Sequence, residues 1–454
     1  MDRPPTVKGA PADDGSATAA QRIAVGVTVR PKCYNSRPMK NSRRRFLSLA
    51  LPAVAALAAV IAIPAWARHS ANNSLATKSS NTNAAAPSKA ADKAPFYLVY
   101  VGTYTTKQES KGIYAYNFNP ANGEFTPIGL VAETTDPSFV AVHPNGKYLY
   151  AVNEVGDYNG EKSGAISSFE IDRKSGKLKF LNQVSTHGAG PCFVSLDKTN
   201  RFVLVANYDG GSVATFQIEP DGSLSVARGF VQHSGHGLDK ERQEAPHAHW
   251  ISTSPDNRFA LVADLGLDDV LVYKFDDVQG KLTPNSPPYA EVKPGSGPRH
   301  LAFAPNGKFA YLITEMASTV VAFSYNAEKG TLTTLQTLPN LPKDYNGLKE
   351  AAEITVHPNG KFVYASNRGS ANSIAAYKVD GAKGTLTPIG IFPTGGKIPR
   401  HFTIDPTGKF LIAANADSNI LVTFKIDETT GALTPTGKEV SAPSPQCIAF
   451  AGEE

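Results

Sequence analysis

Cysteine is scarce in this chain of 454 residues, with three in all, and only Cys192 and Cys447 fall within its repetitive part. Each opens a separate strand-like segment, so free buried thiols are expected rather than a disulfide. Long apolar runs are missing as well. The one candidate, Leu49 to Pro64, is short for a membrane span, rich in Ala and broken by Pro52 and Pro64, so no stable membrane anchor is expected. The formal net charge of +5 is mild, and the repeats contain no basic run, which argues against nucleic acid as a partner. No nucleophile elbow and no Ser–His–Asp pattern is present, so a covalent acyl-enzyme is not expected.

What the chain has in quantity is repetition. A turn ending in Gly, one further residue and then apolar residues recurs at Gly123, Gly176, Gly222, Gly280, Gly330, Gly384 and Gly431, at intervals of 53, 46, 58, 50, 54 and 47 residues. Between these glycines runs a second pattern, DPSFVAVHPNGKYLYAVN, GPRHLAFAPNGKFAYLIT, AAEITVHPNGKFVYASN and IPRHFTIDPTGKFLIAAN. Each reads as strand, tight turn, strand. A third strand follows (SVATFQI, VVAFSY, ILVTFKI), and the glycine hairpin leads to a fourth. Four short alternating strands at a period near 50 residues predict the blades of an all-β propeller. The repeats open at FYLVYVGTY (Phe96 to Tyr104), which matches a second strand, and end at SPQCIAF (Ser444 to Phe450), which matches a first. One blade is therefore shared between the termini, and six whole repeats plus one shared repeat predict seven blades over 95–454. Sharing a blade closes the ring and removes two sheet edges.

The leader reads as an address. Ser42-Arg43-Arg44-Arg45-Phe46-Leu47, the apolar run and Ala65-Trp66-Ala67 have the order of a twin-arginine signal peptide over 1–67, with the twin-arginine export machinery as a partner. Met39 is the expected translation start and Arg68 the expected mature start. No Cys follows the cleavage site, so no lipid attachment is expected. Residues 68–94, rich in Ala, Ser, Asn and Lys, read as a disordered linker, and the mature protein is expected in the periplasm or outside the cell.

Alignment of the inner strands on their Pro-Asn-Gly turns gives a first position of Ser138, Cys192, His249, Arg299, Ala352, Arg400 and Gln446. The second position reads Phe139, Phe193, Trp250, His300, Glu353, His401 and Cys447. Later positions are apolar or small. Thus His249, Arg299, His300, Glu353, Arg400 and His401 are expected at one height, at one mouth of the channel, with His247 two residues before His249 and pointing the same way. Ionisable groups so gathered are costly unless they bind a ligand or each other, which leaves a structural salt-bridged ring as the alternative to a binding site. His247 and His249 have chelating spacing, but two arginines beside them repel a cation, so neither a metal nor another cofactor is expected.

At these residues the chain resembles the lactonase family of seven-bladed propellers, the 6-phosphogluconolactonase type that includes carboxy-cis,cis-muconate cyclases. The matching stretches are YVGTYT, PHAHWISTSPDNRFALVADLG, GPRHLAFAPNGKFAYLITE, AAEITVHPNGKFVYASNRG and PRHFTIDPTGKFLIAAN, spread over 96–450. The resemblance implies a polar site in the channel mouth where His247, His249, Arg299, Glu353, Arg368 and Arg400 act on a lactone. The expected reaction is hydrolysis of a sugar lactone to the aldonic acid. In it Glu353 takes a proton from water, Arg299 and Arg400 steady the oxyanion, and His249 with Glu353 and the two arginines makes up the catalytic set. His247, His300, His401 and Arg368 contact the substrate, and a histidine protonates the leaving alkoxide. The family's namesake substrate is a phosphorylated cytoplasmic metabolite, whereas this chain carries an export signal. An unphosphorylated or extracellular lactone resolves the conflict, and so does another use of the site. The alternatives are a non-catalytic propeller that binds carbohydrate or protein, and a lactone-forming enzyme of the muconate-cyclase kind.

Overall fold

The computed structural model describes residues 96–106 and 110–452; the leader, its signal motif and the linker 68–94 lie outside the described residues. Twenty-eight strands form seven four-stranded antiparallel sheets, and the single helical element among the described residues is a 3-10 turn at Ala416–Ser418. The expected seven blades are all there. The shared blade is ordered β28 (Pro445–Phe450), β1 (Tyr97–Thr103), β2 (Gly112–Asn119) and β3 (Glu124–Glu133), so the C-terminal strand is the inner one. Val99 pairs with Phe450 and Val101 with Ile448 across the closure.

The second strand of each blade is the most buried, because it has a blade on either side. Phe202–Asn207, Phe259–Asp264, Phe309–Thr314, Phe362–Asn367 and Phe410–Asn415 are buried at every residue. The fourth strands face water and alternate in burial, as in Leu433–Ser441. Apolar clusters accordingly straddle neighbouring blades: Val363 and Ala365 of one pack with Tyr311 and Ile313 of the next.

The recurrent hairpin glycine has a packing role besides its backbone one. Gly384 adopts φ +72°, and a Cβ there would run into the ring of Phe309, which opens the second strand of the preceding blade. Gly123 stands in the same relation to Phe410, across the closure. The repeat thus marks where one blade's outer hairpin caps its neighbour's first aromatic. Gly384→Ala is expected to cost about 2–4 kcal/mol, from positive-φ strain plus overpacking. Gly381→Ala, in the same turn with nothing within 4 Å of its Cβ position, is expected to shift stability by less than about 0.5 kcal/mol. Urea unfolding of the two variants checks the contrast; equal losses would contradict it.

Candidate active site

The inner strands are irregular at the position that mattered most in the alignment. The ladder skips a residue between Pro191 and Phe193, Ala248 and Trp250, Pro298 and His300, and Pro399 and His401. The residues passed over are Cys192, His249, Arg299 and Arg400. A bulged residue has no ladder partner and its side chain is re-aimed. Simple alternation therefore fails here, and His247 does not share the direction of His249. His249 lines the cavity at the channel mouth. His247 lies outside that lining: its ring stacks on Tyr208 at 4.6 Å, and its Nδ1 donates to the Tyr208 carbonyl at 3.0 Å.

A second set of lining residues comes from the other end of the hairpin. The residue directly after each second strand is Tyr104, Glu154, Tyr208, Leu265, Glu315, Arg368 and Ala416 in turn. Tyr104, Glu154, Tyr208, Glu315 and Arg368 line the cavity, whose volume is about 480 Å³. The strand-ending residue before them is buried and polar in every blade: Thr103, Asn153, Asn207, Asp264, Thr314, Asn367 and Asn415. Asn153 shows its use, donating from Nδ2 to Thr134 Oγ1 at 2.8 Å and to the Thr135 carbonyl at 2.7 Å. Such bonds fix where the chain leaves the sheet, and so where the next side chain enters the cavity.

Glu315 organises the cationic side. Its carboxylate accepts from Arg299 Nε at 3.0 Å, Arg368 Nη2 at 2.8 Å and Arg242 Nη2 at 2.5 Å. Burial alone would raise its pKa, but Arg368, Arg299 and Arg242 outweigh burial and hold it at about 2. Arg299 is spent on this work. It also donates from Nη1 to the Ala352 carbonyl at 2.6 Å, and burial together with Arg400 and Arg368 lowers its pKa to about 10.

Glu353 lies one layer below the cavity lining. Its Oε1 accepts from the Ile354 N–H at 3.0 Å, and its Oε2 stands 3.0 Å from His300 Nδ1 and 3.5 Å from His401 Nε2. Burial raises its pKa against the pull of His401 and Arg299. Burial likewise pushes His300 well below the usual histidine range and His401 down to about 4, so both imidazoles are neutral at pH 7. The rings of Phe139 and Phe193 abut them, at 5.5 Å from His401 and 5.0 Å from His300. The expected site residues thus divide in two. His249, Arg368 and Arg400 line the cavity, whereas Arg299, His300, Glu353 and His401 form a closely bonded layer that does not.

Of the acidic groups that line the cavity, Glu154 stands beside Arg400. Tyr104 donates its hydroxyl to Oε1 at 2.7 Å, and Ser138 donates to Oε2. Burial raises the Glu154 pKa, with Arg400 and the two hydroxyls pulling the other way. Arg400 lies over the Tyr104 ring at 5.5 Å; burial opposes its charge, but Tyr104 and Glu154 more than offset that. His249 is kept neutral by burial and by Arg299, His300 and Arg400. The Cys192 thiol, 3.7 Å from His249 Nδ1, is pushed up by burial and is no nucleophile at neutral pH. Among the described residues no group of three or more His, Cys, Asp and Glu side chains is arranged to hold a metal ion.

The fold and this site have relatives. The family described as "Lactonase, 7-bladed beta-propeller" matches residues 98–450. A 6-phosphogluconolactonase from Bacillus subtilis is 38% identical over 354 residues, which covers 78% of this chain and 98% of that one. A second 6-phosphogluconolactonase, from Formosa agariphila, is 35% identical over 344 residues, 75% of this chain and 96% of the relative. Among solved structures, a periplasmic gluconolactonase from Pseudomonas aeruginosa superposes with a TM-score of 0.74 at 33% identity, covering 79% of this chain and 99% of that chain.

Proposed function

The chain belongs to the lactonase family of seven-bladed β-propellers and is a lactonase, and we propose that its mouth cavity hydrolyses a sugar lactone with Glu154 as the proton-transfer group. The observation that carries this assignment is that Glu154 is a half-buried carboxylate with a raised pKa on the cavity wall, beside a guanidinium that can face the substrate. Water attacks the lactone carbonyl carbon while Glu154 accepts its proton. Arg400, with Arg368 beside the cavity, stabilises the oxyanion of the tetrahedral intermediate. As the ring C–O bond breaks, the proton passes from Glu154 to the leaving alkoxide, and the aldonic acid then ionises. Neutral His249 hydrogen-bonds the substrate. Glu315 and Arg299 position Arg368 and Arg242, while Glu353, His300 and His401 form the base on which the bulged residues stand. Proton release from a panel of sugar lactones, corrected for spontaneous opening, tests the reading; a folded protein that opens none of them overturns it.

Export by the twin-arginine route belongs to the same proposal. It is supported by the Arg43-Arg44 motif and by likeness to a periplasmic gluconolactonase. Among the described residues no helix is long and apolar enough to cross a membrane. Replacing Arg43 and Arg44 together by Lys is expected to leave the protein in the cytoplasm, as read by cell fractionation. Undiminished export of that variant would contradict the route.

A further inference from the structure

We propose that Asp136 is a positioning residue for the ring-opening reaction: it holds Tyr104 and Glu154, which come from neighbouring blades, in register with each other. The inference rests on the assignment of Glu154 as the proton-transfer group and concerns what keeps that carboxylate in place. In every blade the residue directly after the second strand donates its N–H to the carbonyl of the residue two places before the first position of the inner strand. Glu154 does so to Asp136 at 3.0 Å, Glu315 to Gly297 at 2.7 Å and Arg368 to Glu350 at 2.9 Å.

The backbone at this place does not explain a carboxylate. It is left-handed, with φ +41° at Asp136, +60° at Gly190 and +66° at Gly297, and glycine meets that need at no steric cost. The Asp136 side chain instead reaches across to the shared blade. Its Oδ1 accepts from the N–H groups of Thr105 and Thr106, at 2.6 and 3.0 Å, and from the Thr105 hydroxyl at 3.2 Å. Its Oδ2 accepts from the Thr106 hydroxyl at 2.9 Å, and the Asp136 N–H donates to Thr105 Oγ1 at 3.0 Å. These bonds fix the chain directly after Tyr104, whose hydroxyl donates to Glu154 Oε1 at 2.7 Å. The Asp136 carbonyl also accepts from the Ser138 N–H at 2.8 Å, and the Ser138 hydroxyl donates to Glu154 Oε2. Both hydroxyl donors to the Glu154 carboxylate, and the backbone of Glu154 itself, are thus tied to one buried residue. A reacting group displaced by about 1 Å loses on the order of a hundredfold in rate.

The test compares Asp136→Gly and Asp136→Asn with the parent, by kcat and KM over a range of pH. The substrate is D-glucono-1,5-lactone, or whichever sugar lactone the parent opens fastest, corrected for spontaneous opening. Gly keeps the left-handed backbone and deletes the carboxylate, whereas Asn keeps an acceptor of the same shape. Asp136→Gly is expected to lower kcat by about ten- to a hundredfold with KM nearly unchanged. It is also expected to move the rise of kcat/KM to higher pH, because Glu154 is left with less firmly held donors. The ionisable groups around Glu154, namely Arg400, Tyr104, Asp209 and Cys192, are unaltered in these variants. Asp136→Asn is expected to recover most of the lost kcat and the parent's pH rise. Thr105→Val with Thr106→Val deletes three of the bonds and leaves Asp136 in place. That pair is expected to shift kcat and the pH rise in the same direction, and it carries the test if Asp136→Gly does not fold. Folded variants with the parent's kcat and pH rise, a loss confined to KM, or an Asn variant no better than Gly would each overturn this inference and leave the role of Glu154 standing. A pH rise that survives in Glu154→Gln, or a parent that opens no sugar lactone, overturns the assignment of Glu154 and this inference with it.

Discussion

Glu154→Gln is expected to slow lactone ring opening by about two to four orders of magnitude, the usual contribution of a positioned proton-transfer group. The amide keeps the size of the side chain and can still accept from the Tyr104 hydroxyl, which now bonds Oε1 at 2.7 Å. What it cannot do is take a proton from water. KM is expected to change far less than kcat, since the loss is confined to the transition state. Glu353→Gln is expected to reduce kcat by less than about tenfold, because its carboxylate is already committed to the Ile354 N–H, His300 and His401 below the lining. Thermal melts must show both variants folded. The reverse ranking would move the proton-transfer role one layer down the channel.

Truncation after Pro443 is expected to abolish the cooperatively folded ring. It removes β28 and with it the inner strand of the shared blade. Cys447 and Ile448 are almost fully buried there, and Phe450 packs edge-on against Tyr97 and Phe118, at 6.1 and 5.3 Å. Each such side chain stabilises by roughly 1.5–3 kcal/mol, so together they rival the whole stability of a typical domain. The cut also leaves β1 as an open edge of unpaired backbone groups, a template for aggregation. Calorimetry and size-exclusion chromatography are expected to show no cooperative transition and soluble aggregates. A monomeric truncated protein that melts with the parent would show that β28 does not close the ring.

The blade count and the shared blade were legible because both rest on local signals that repeat. A glycine every 50 or so residues reports a positive-φ hairpin, and the structure adds its second cause, the neighbour's aromatic beneath it at Gly384 and Gly123. The site was legible only in part. Aligning the inner strands brought out His249, Arg299 and Arg400, but a sequence written as strand does not reveal a bulge, and the bulge decides which way a side chain points. So His247 and His249, paired by parity in the sequence, part company in the structure, and second-position Glu353 and His300 sit beneath the first-position residues. Glu154, Glu315 and Tyr104 directly follow the second strands of their blades, so an alignment of the inner strands does not contain them. The signal for them was present: a polar strand-ending residue followed by a functional one, as in Asn153-Glu154, Thr314-Glu315 and Asn367-Arg368. Arg242 had no such signal. It reaches Glu315 from the non-repeating segment between the strands Leu224–Gln232 and Ala248–Thr253.

Proton transfer by Glu154 has a direct signature in the pH dependence of kcat/KM. Burial holds the acid form of Glu154 to higher pH than an ordinary glutamate, whose pKa is 4.5, and only the carboxylate can accept a proton from water. The enzymatic rate, after subtraction of spontaneous opening at each pH, should therefore rise through an apparent pKa above 4.5 in the parent. In Glu154→Gln that rising limb should vanish and leave a low, flat residual rate. A limb that survives unchanged in folded Glu154→Gln would contradict the account.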